Sequence, residues 1–257
     1  MSKYILMVVL FLFCSPIFAS AEGWGFEKDK NGNTPDVGRY GPMIDEHDGF
    51  FVDQSGEKIV YFTFDNGYEQ GYTDEVLNVL KEQQVPATFF VTGHYINSAP
   101  DLVKRMVKEG HIIGNHSWSH PDFTTISKSE MKHELDQVQS AVENLTDQNT
   151  MTFLRPPRGT FNTNTLEWAR ELGYIHAFWS IAFVDWETNR QKGWEYAFNN
   201  VMEQIHPGAV ILLHTVSEDN AEALDNLINE LRMRGYQFGS LNDLLVKKLL
   251  PFPIVSL

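Results

Sequence analysis

From residue 58 onward, short apolar runs rich in β-branched and aromatic residues alternate with longer stretches whose apolar positions recur at helical spacing. The runs are IVYFTF (59–64), ATFFV (87–91), HIIGNHS (111–117), MTFLR (151–155), YIHAFWS (174–180), AVILLHT (209–215) and, more weakly, YQFGSL (236–241). They predict seven strands. Between them, residues 74–83 place Val76, Leu77, Val79 and Leu80 on one helix face. Pro100 opens a second helix, with Leu102, Val103, Met106 and Val107 inward and Gly110 as its stop. Ser127 with Glu130 reads as a capping box before a helix over 131–145, and Asn164 with Glu167 gives a similar signal before a helix that stops at Gly173. Residues 194–205 and 221–234 supply two more helices, the last ending at Gly235.

Strand–helix alternation of this kind predicts an α/β fold with a mainly parallel sheet, either doubly wound or closed toward a barrel. Strand count and length favour a deformed, partial (β/α) barrel of about seven strands. Residues 22–57 carry no sustained period and are rich in Gly, Asp and aromatics, including WGF (24–26) and GRYGPM (38–43). They read as an irregular extension packed on a domain spanning 58–257. Within that extension, Asp45, Glu46, His47 and Asp48 could suggest a metal site, but four adjacent residues do not converge, and a solvated turn is the expected reading.

The first 21 residues combine Lys3, an apolar run from Tyr4 to Cys14 and a small-residue end at Ala19-Ser20-Ala21. This is the form of a secretory signal peptide, with a retained anchor as the alternative; cleavage after Ala21 would leave about 236 residues. The expected location is outside the cytoplasmic membrane. The chain of 257 residues has one cysteine, which closes disulfide and zinc-thiolate routes. A formal charge of -14 argues against a nucleic-acid partner. With 18 Phe, 9 Tyr and 6 Trp, an aromatic-lined cleft is plausible. A monomer is expected.

Several predicted strands end in polar residues: Thr63, Asp65 and Asn66 after the first, Asn115, His116 and His120 around the third, Arg155 after the fourth and His214 after the sixth. In parallel α/β folds the carboxyl ends of strands form the rim of the active site. Asp65 is then a candidate general base and His214 a candidate general acid. His116 and His120 are spaced to bring two imidazoles to a divalent metal if the residues between them turn tightly; the alternative is two hydrogen-bonded loop residues. Arg155 is placed to hold Asp65 ionised, or else forms a structural ion pair. Gly159 permits close backbone approach, so amides of residues 158–160 are candidates for an oxyanion site, against a plain turn glycine. Asp185 is placed to bond His214, and Trp186 to form an apolar wall. His94, His111, His133, His176 and His206 have ordinary structural readings.

These residues fall into five ordered motifs: TFDNG (63–67), HSWSHP (116–121), RPPRG (155–159), DW (185–186) and LLHT (212–215). In that order they resemble the NodB-like polysaccharide deacetylases, carbohydrate esterase family 4, over roughly residues 58–248. The resemblance implies a deformed (β/α) barrel that removes an N-acetyl, sometimes an O-acetyl, group from a glycan with a divalent metal. By that resemblance Asp65 is the catalytic base, His116 and His120 bind metal, Arg155 braces Asp65, Asp185 supports His214, His214 is the general acid, and Leu212 lines the pocket for the acetyl methyl group. Asn66 stands where the family carries a second aspartate as metal ligand, which weakens any site for Zn, Mn, Mg or Ca.

The TFDNGYE variant, with Arg158 in the proline-rich motif, is similar to the PdaA-type subgroup. Those spore-former enzymes de-N-acetylate peptide-free muramic acid during synthesis of the cortex δ-lactam. Peptidoglycan glycan strands are then the expected partner, with Arg158 facing the lactyl carboxylate. An O-acetyl or chitin/xylan-type deacetylase, and a non-catalytic wall-glycan binder, are the alternatives.

Overall fold

The computed structural model describes residues 20–250. The segment read as a signal peptide lies outside them except for residues 20 and 21. No helix among the described residues is long and apolar enough to cross a membrane.

In chain order the elements are β1 (Glu22–Gly23), α1 (Tyr40–Glu46), β2 (Ile59–Asn66), α2 (Thr73–Glu82), β3 (Ala87–Val91), α3 (Gly93–Ser98), α4 (Pro100–Lys108), β4 (Ile112–Asn115) and α5 (Lys128–Leu145). They continue as β5 (Phe153–Leu154), β6 (Thr160–Phe161), α6 (Thr163–Glu171), β7 (Ile175–His176), α7 (Trp194–Met202), β8 (Val210–His214), α8 (Glu218–Met233), β9 (Gln237–Phe238) and α9 (Leu241–Leu249). All seven predicted strands join one parallel sheet in the order β7-β5-β4-β3-β2-β8, with β9 paired to the first residues of β2. The sheet curls without closing. Single bridges, Phe50 to Ala177, Val52 to Ala209 and Ile181 to Ile211, span the gap between its two edges. The result is the expected partial barrel, and residues Phe50 and Val52 of the N-terminal extension contribute to its seam.

β2 and β3 are buried on both faces, which explains why their sequences read as continuous rather than alternating apolar runs. Phe64 stacks on Phe89 at 5.0 Å between ring centres, and Val76, Leu77 and Leu80 of α2 close over the same face with no exposure. Each such side chain contributes roughly 1.5–3 kcal/mol of burial. The Ser127–Glu130 capping box forms as predicted. The cap of α6 does not: Asn162, not Asn164, accepts from the Thr165 amide, and Thr165 returns the bond. The helix therefore starts earlier, at Thr163, than the Asn164 signal implied. Residues 45 and 46 end a helix rather than a turn, and His47 is buried with Nδ1 on the Met43 carbonyl.

The extension is held by its aromatics. Trp24 lies among Phe51, Phe178, Phe161 and Trp179, and its indole N–H donates to the Trp179 carbonyl at 3.0 Å. Immediately before it, β1 pairs antiparallel with β6, a ladder with no sequence signature in two-residue strands.

Candidate active site

β2 and β8 are adjacent and parallel, and their register sets Asp65 directly opposite His214. Thr63, two residues earlier on β2, spends its hydroxyl on the Ile211 carbonyl at 2.7 Å, so it clasps the two strands rather than facing a substrate.

Asp65 accepts a hydrogen bond from Arg155 Nη1 at 2.8 Å, and its other oxygen lies 3.6 Å from His116 Nε2. Arg155 has no solvent exposure. Its Nε–H donates to the Ala177 carbonyl at 2.9 Å, and its guanidinium lies over the Phe90 ring at 4.1 Å. A cation so enclosed has one orientation, and it fixes the Asp65 carboxylate in turn. Burial alone would raise the Asp65 pKa, but the Arg155 guanidinium above all, with His214 further off, outweighs it and holds the carboxyl below its ordinary value. Asp65 is thus an ionised acceptor at a sheet end.

Across the cleft, His214 Nδ1–H donates to Asp185 Oδ1 at 2.7 Å. The other Asp185 oxygen accepts from the His214 amide at 2.8 Å and from Asn220 Nδ2 at 2.5 Å. Burial opposes the charged imidazole, yet Asp185, and then Asp65, carry its pKa above the ordinary histidine value. The bond to Asp185 leaves Nε2 as the free proton-carrying nitrogen. Trp186 packs edge-on against the His214 ring at 5.5 Å and is about half exposed, so it walls the site on the solvent side. Leu212 lies two residues before His214 on the same face of β8 and is nearly buried.

The HSWSHP segment forms a turn with Ser117 and His120 at positive φ, 64° and 60°. Ser117 Oγ accepts from the His120 amide at 3.0 Å, and Ser119 bonds Glu134. Gly93 is required beneath it, because a Cβ there would lie 2.2 Å from the Trp118 indole. The turn brings the His116 and His120 rings to 4.9 Å, edge to face. His116 Nδ1–H donates to the Arg155 carbonyl at 2.8 Å, so its Nε2 is the lone-pair nitrogen. Burial lowers the pKa of both imidazoles, His120 to about 4, and keeps them neutral.

Asn66 is fully buried; its Nδ2 donates to Thr215 Oγ1 at 2.6 Å, and its Oδ1 has no hydrogen-bond partner among the described residues. An orphaned buried acceptor costs about 1–3 kcal/mol and marks a position with another use. Among the described residues no group of three or more His, Cys, Asp or Glu side chains is arranged to hold a metal. The donors that remain, two neutral imidazoles and one amide oxygen, fit a divalent cation whose other positions are filled by water or substrate, at lower charge than a carboxylate-bearing site would give.

Two of the expected oxyanion amides are otherwise engaged: Gly159 N–H donates to the Pro156 carbonyl at 3.0 Å and the Thr160 amide to the Pro157 carbonyl. Gly159 serves instead to admit Trp179, whose ring would lie 2.9 Å from a Cβ, at a backbone φ of +65°. The loop leaves Arg158 exposed at φ 59°, with no hydrogen bond or ion pair among the described residues, and close enough to His120 and Asp122 to bear on their charge. Asn220, which braces Asp185, escaped sequence reasoning; its signal is the SEDN segment just after the sixth strand, where a helix N-terminus must fold back on the strand end. Of the histidines given structural readings, His206 bonds Ser180 and the Pro207 carbonyl and His111 accepts from the Ala87 amide, while His176 is buried with Nε2 unpartnered among the described residues.

The polysaccharide deacetylase family model matches residues 53–177. The peptidoglycan-N-acetylmuramic acid deacetylase PdaA of Bacillus subtilis is 49% identical over 231 residues, covering 90% of this chain and 88% of that protein. A solved structure of B. subtilis PdaA, described as a family 4 carbohydrate esterase, superimposes with a TM-score of 0.87 over 89% of this chain and 98% of its own. A peptidoglycan-N-acetylglucosamine deacetylase of Bacillus cereus is more distant, 34% identical over 71% of this chain and 66% of its own length.

Proposed function

This chain belongs to the polysaccharide deacetylase family, and from that premise we propose that it hydrolyses the acetamide of N-acetylmuramic acid in peptidoglycan strands, with Asp65 as base and His214 as acid. The observation that carries the reading is the facing pair itself: a carboxylate held below its ordinary pKa and an imidazole held above its own, in register on adjacent strands and braced by separate buried partners. That is the pairing needed to cleave an amide. Asp65 takes a proton from the attacking water as its oxygen adds to the acetyl carbonyl carbon. His214 Nε2 gives a proton to the sugar nitrogen as the C–N bond breaks, releasing acetate and leaving the amine. Leu212 and Trp186 enclose the acetyl methyl group between them.

A divalent cation, held by His116, His120 and Asn66, would polarise the carbonyl and acidify the water. A nitrogen-rich donor set favours zinc over magnesium or calcium, which prefer oxygen shells.

Muramic acid differs from glucosamine by its lactyl carboxylate, and Arg158 is an exposed guanidinium without a partner among the described residues, near His120 of the same rim. A bidentate pair there selects the muramic residue whose carboxylate is free of peptide. The amine so formed is the nucleophile of the δ-lactam found in spore cortex. The chain is exported by residues 1–21 and acts at the wall, with 22–57 folded as part of the catalytic body.

The test is mass spectrometry of peptide-stripped peptidoglycan after incubation with the protein, with and without EDTA, beside D65N. Loss of one acetyl mass per modified muramic residue, absent in D65N, is expected. Equal acetate release by D65N, or release only from glucosamine residues, overturns the assignment.

A further inference from the structure

Around Asn66 lies a buried chain of polar groups outside the catalytic pairs. Thr73, Tyr95 and Thr215 are within 1% of full burial, and Glu69 closes the chain at the rim. Glu69 Oε2 accepts from the Thr73 hydroxyl and from the Tyr95 hydroxyl at 3.0 Å. The Thr73 and Thr215 hydroxyl oxygens are 2.8 Å apart, and Thr215 Oγ1 is 2.6 Å from Asn66 Nδ2. The Asn66 amide also reaches the Tyr95 hydroxyl.

Each hydroxyl has one proton to give, and a carboxylate can only accept. The Thr73 proton goes to Glu69, so the contact between the threonines must use the Thr215 proton. Thr215 then has only lone pairs left for Asn66 and takes an amide N–H. The polarity runs one way, and it fixes which end of the amide is which. We propose that Glu69, through Thr73, Thr215 and Tyr95, is the positioning residue that locks the Asn66 carboxamide with its oxygen as the free end. A carboxylate at position 66 has two equivalent oxygens and needs no such device; an amide presents a donor half the time unless its neighbours forbid it. The unpartnered Oδ1 is what the lock leaves over. The inference rests on the reading of Asn66, His116 and His120 as the cation's donors.

The experiment is calorimetric titration of Zn2+ into the full folded protein, comparing wild type, E69Q, N66D, the double variant and H116A. A glutamine at 69 both gives and accepts, so the chain can reverse. E69Q should weaken Zn2+ binding about tenfold with Asn66 present, the lower end for groups that orient a metal ligand. In the N66D background it should change affinity by less than about twofold. T73A, which cuts the chain without touching a charge, should repeat the E69Q result and serves if E69Q does not fold. The Asn66 side-chain amide signal in 15N NMR, assigned by its loss in N66D, should be one species in wild type and two, or broadened, in E69Q without any metal. Unchanged affinity and an unchanged amide signal in both E69Q and T73A would overturn the proposal, as would an equal loss in both backgrounds. If H116A loses Zn2+ while E69Q does not, only the lock fails. If H116A binds as wild type does, or wild type binds no Zn2+, the donor reading fails and the lock with it.

Discussion

Replacing Asp185 with asparagine changes no volume and separates charge from shape at the proposed acid. Two N–H groups, from the His214 backbone and Asn220, converge on Asp185 Oδ2, so the oxygen of the introduced amide must take that place. Its NH2 then faces His214 Nδ1, 2.7 Å from where the carboxylate oxygen stood. Two donors cannot share that contact. The imidazole must turn Nδ1 into an acceptor, moving its proton to Nε2 in the neutral form and making the imidazolium costly. The lost attraction between opposite charges about 4 Å apart is about 4 kcal/mol at an effective dielectric of 20. Without it, burial is opposed only by the more distant Asp65, and the His214 pKa falls. Reversing a tautomer in a hydrolase triad costs about 10⁴ in kcat, so D185N should lose about three to four decades with KM little changed. Acetate release against pH should show the basic limb, set in wild type by His214 above its ordinary pKa, shifted to lower pH. A raised histidine pKa stabilises the fold fully below the unfolded value and loses that effect as pH rises through the folded one. The melting gap between wild type and D185N should therefore be widest in mild acid and narrow above neutrality. A variant within tenfold of wild-type kcat, with its basic limb unmoved, would refute the assignment of His214 as acid.

Three further outcomes follow from the same geometry. R158A should raise KM tenfold to a hundredfold for substrates bearing a free lactyl carboxylate, as loss of a charge-assisted pair of about 1.5–3 kcal/mol implies; equal effects on glucosamine-type substrates would exclude carboxylate recognition. N220A removes the 2.5 Å bond to Asp185 and the 3.1 Å bond to the His214 carbonyl. It should lower kcat by roughly tenfold to a hundredfold at constant KM, read from steady-state acetate release, whereas a KM change alone would mean that Asn220 has no part in orienting the acid. G159A sets a methyl 2.9 Å from Trp179 at positive φ and should cost about 1–3 kcal/mol, seen as a lower Tm in thermal denaturation, at about 2–4 °C per kcal/mol. An unchanged Tm would show that the loop relaxes freely.

The strands were legible because their apolar runs are long enough to be buried on both faces, and even the two-residue β5, β7 and β9 sit inside longer apolar stretches. What local pattern could not show was closure. The seam depends on Phe50 and Val52, residues of an aperiodic segment whose bonding partners lie more than a hundred positions away. The α6 cap failed for a related reason: Asn162 and Asn164 carry the same side chain three residues before a possible partner, and only the extended backbone at Asn162, set by β6 just before it, decides between them.

The site divides along the same line. Asp65, His116, Arg155, Asp185 and His214 are read from sequence because each ends or follows a strand, and the parallel sheet gathers such ends at one rim. Two neighbours that orient them carry no strand-end signal. Asn220 acts from a helix start, and Glu69 from a loop four residues before the helical Thr73. Their roles follow from proton counting, which needs distances. The same applies to charge. A net -14 suggests repulsion of an anionic sugar, but that sum is carried largely on exposed surface. At the rim Asp65 is matched by Arg155, and Asp185 by a protonated His214, each within 2.8 Å. Arg158 is left over with positive charge and no partner among the described residues. Screening at physiological salt fades the distant charges beyond roughly 8 Å, while a contact pair at the rim persists. On the proposed reading, the charge that a bound muramic carboxylate would meet is that of Arg158, beside which Asp122 is engaged by Thr124 and Thr160.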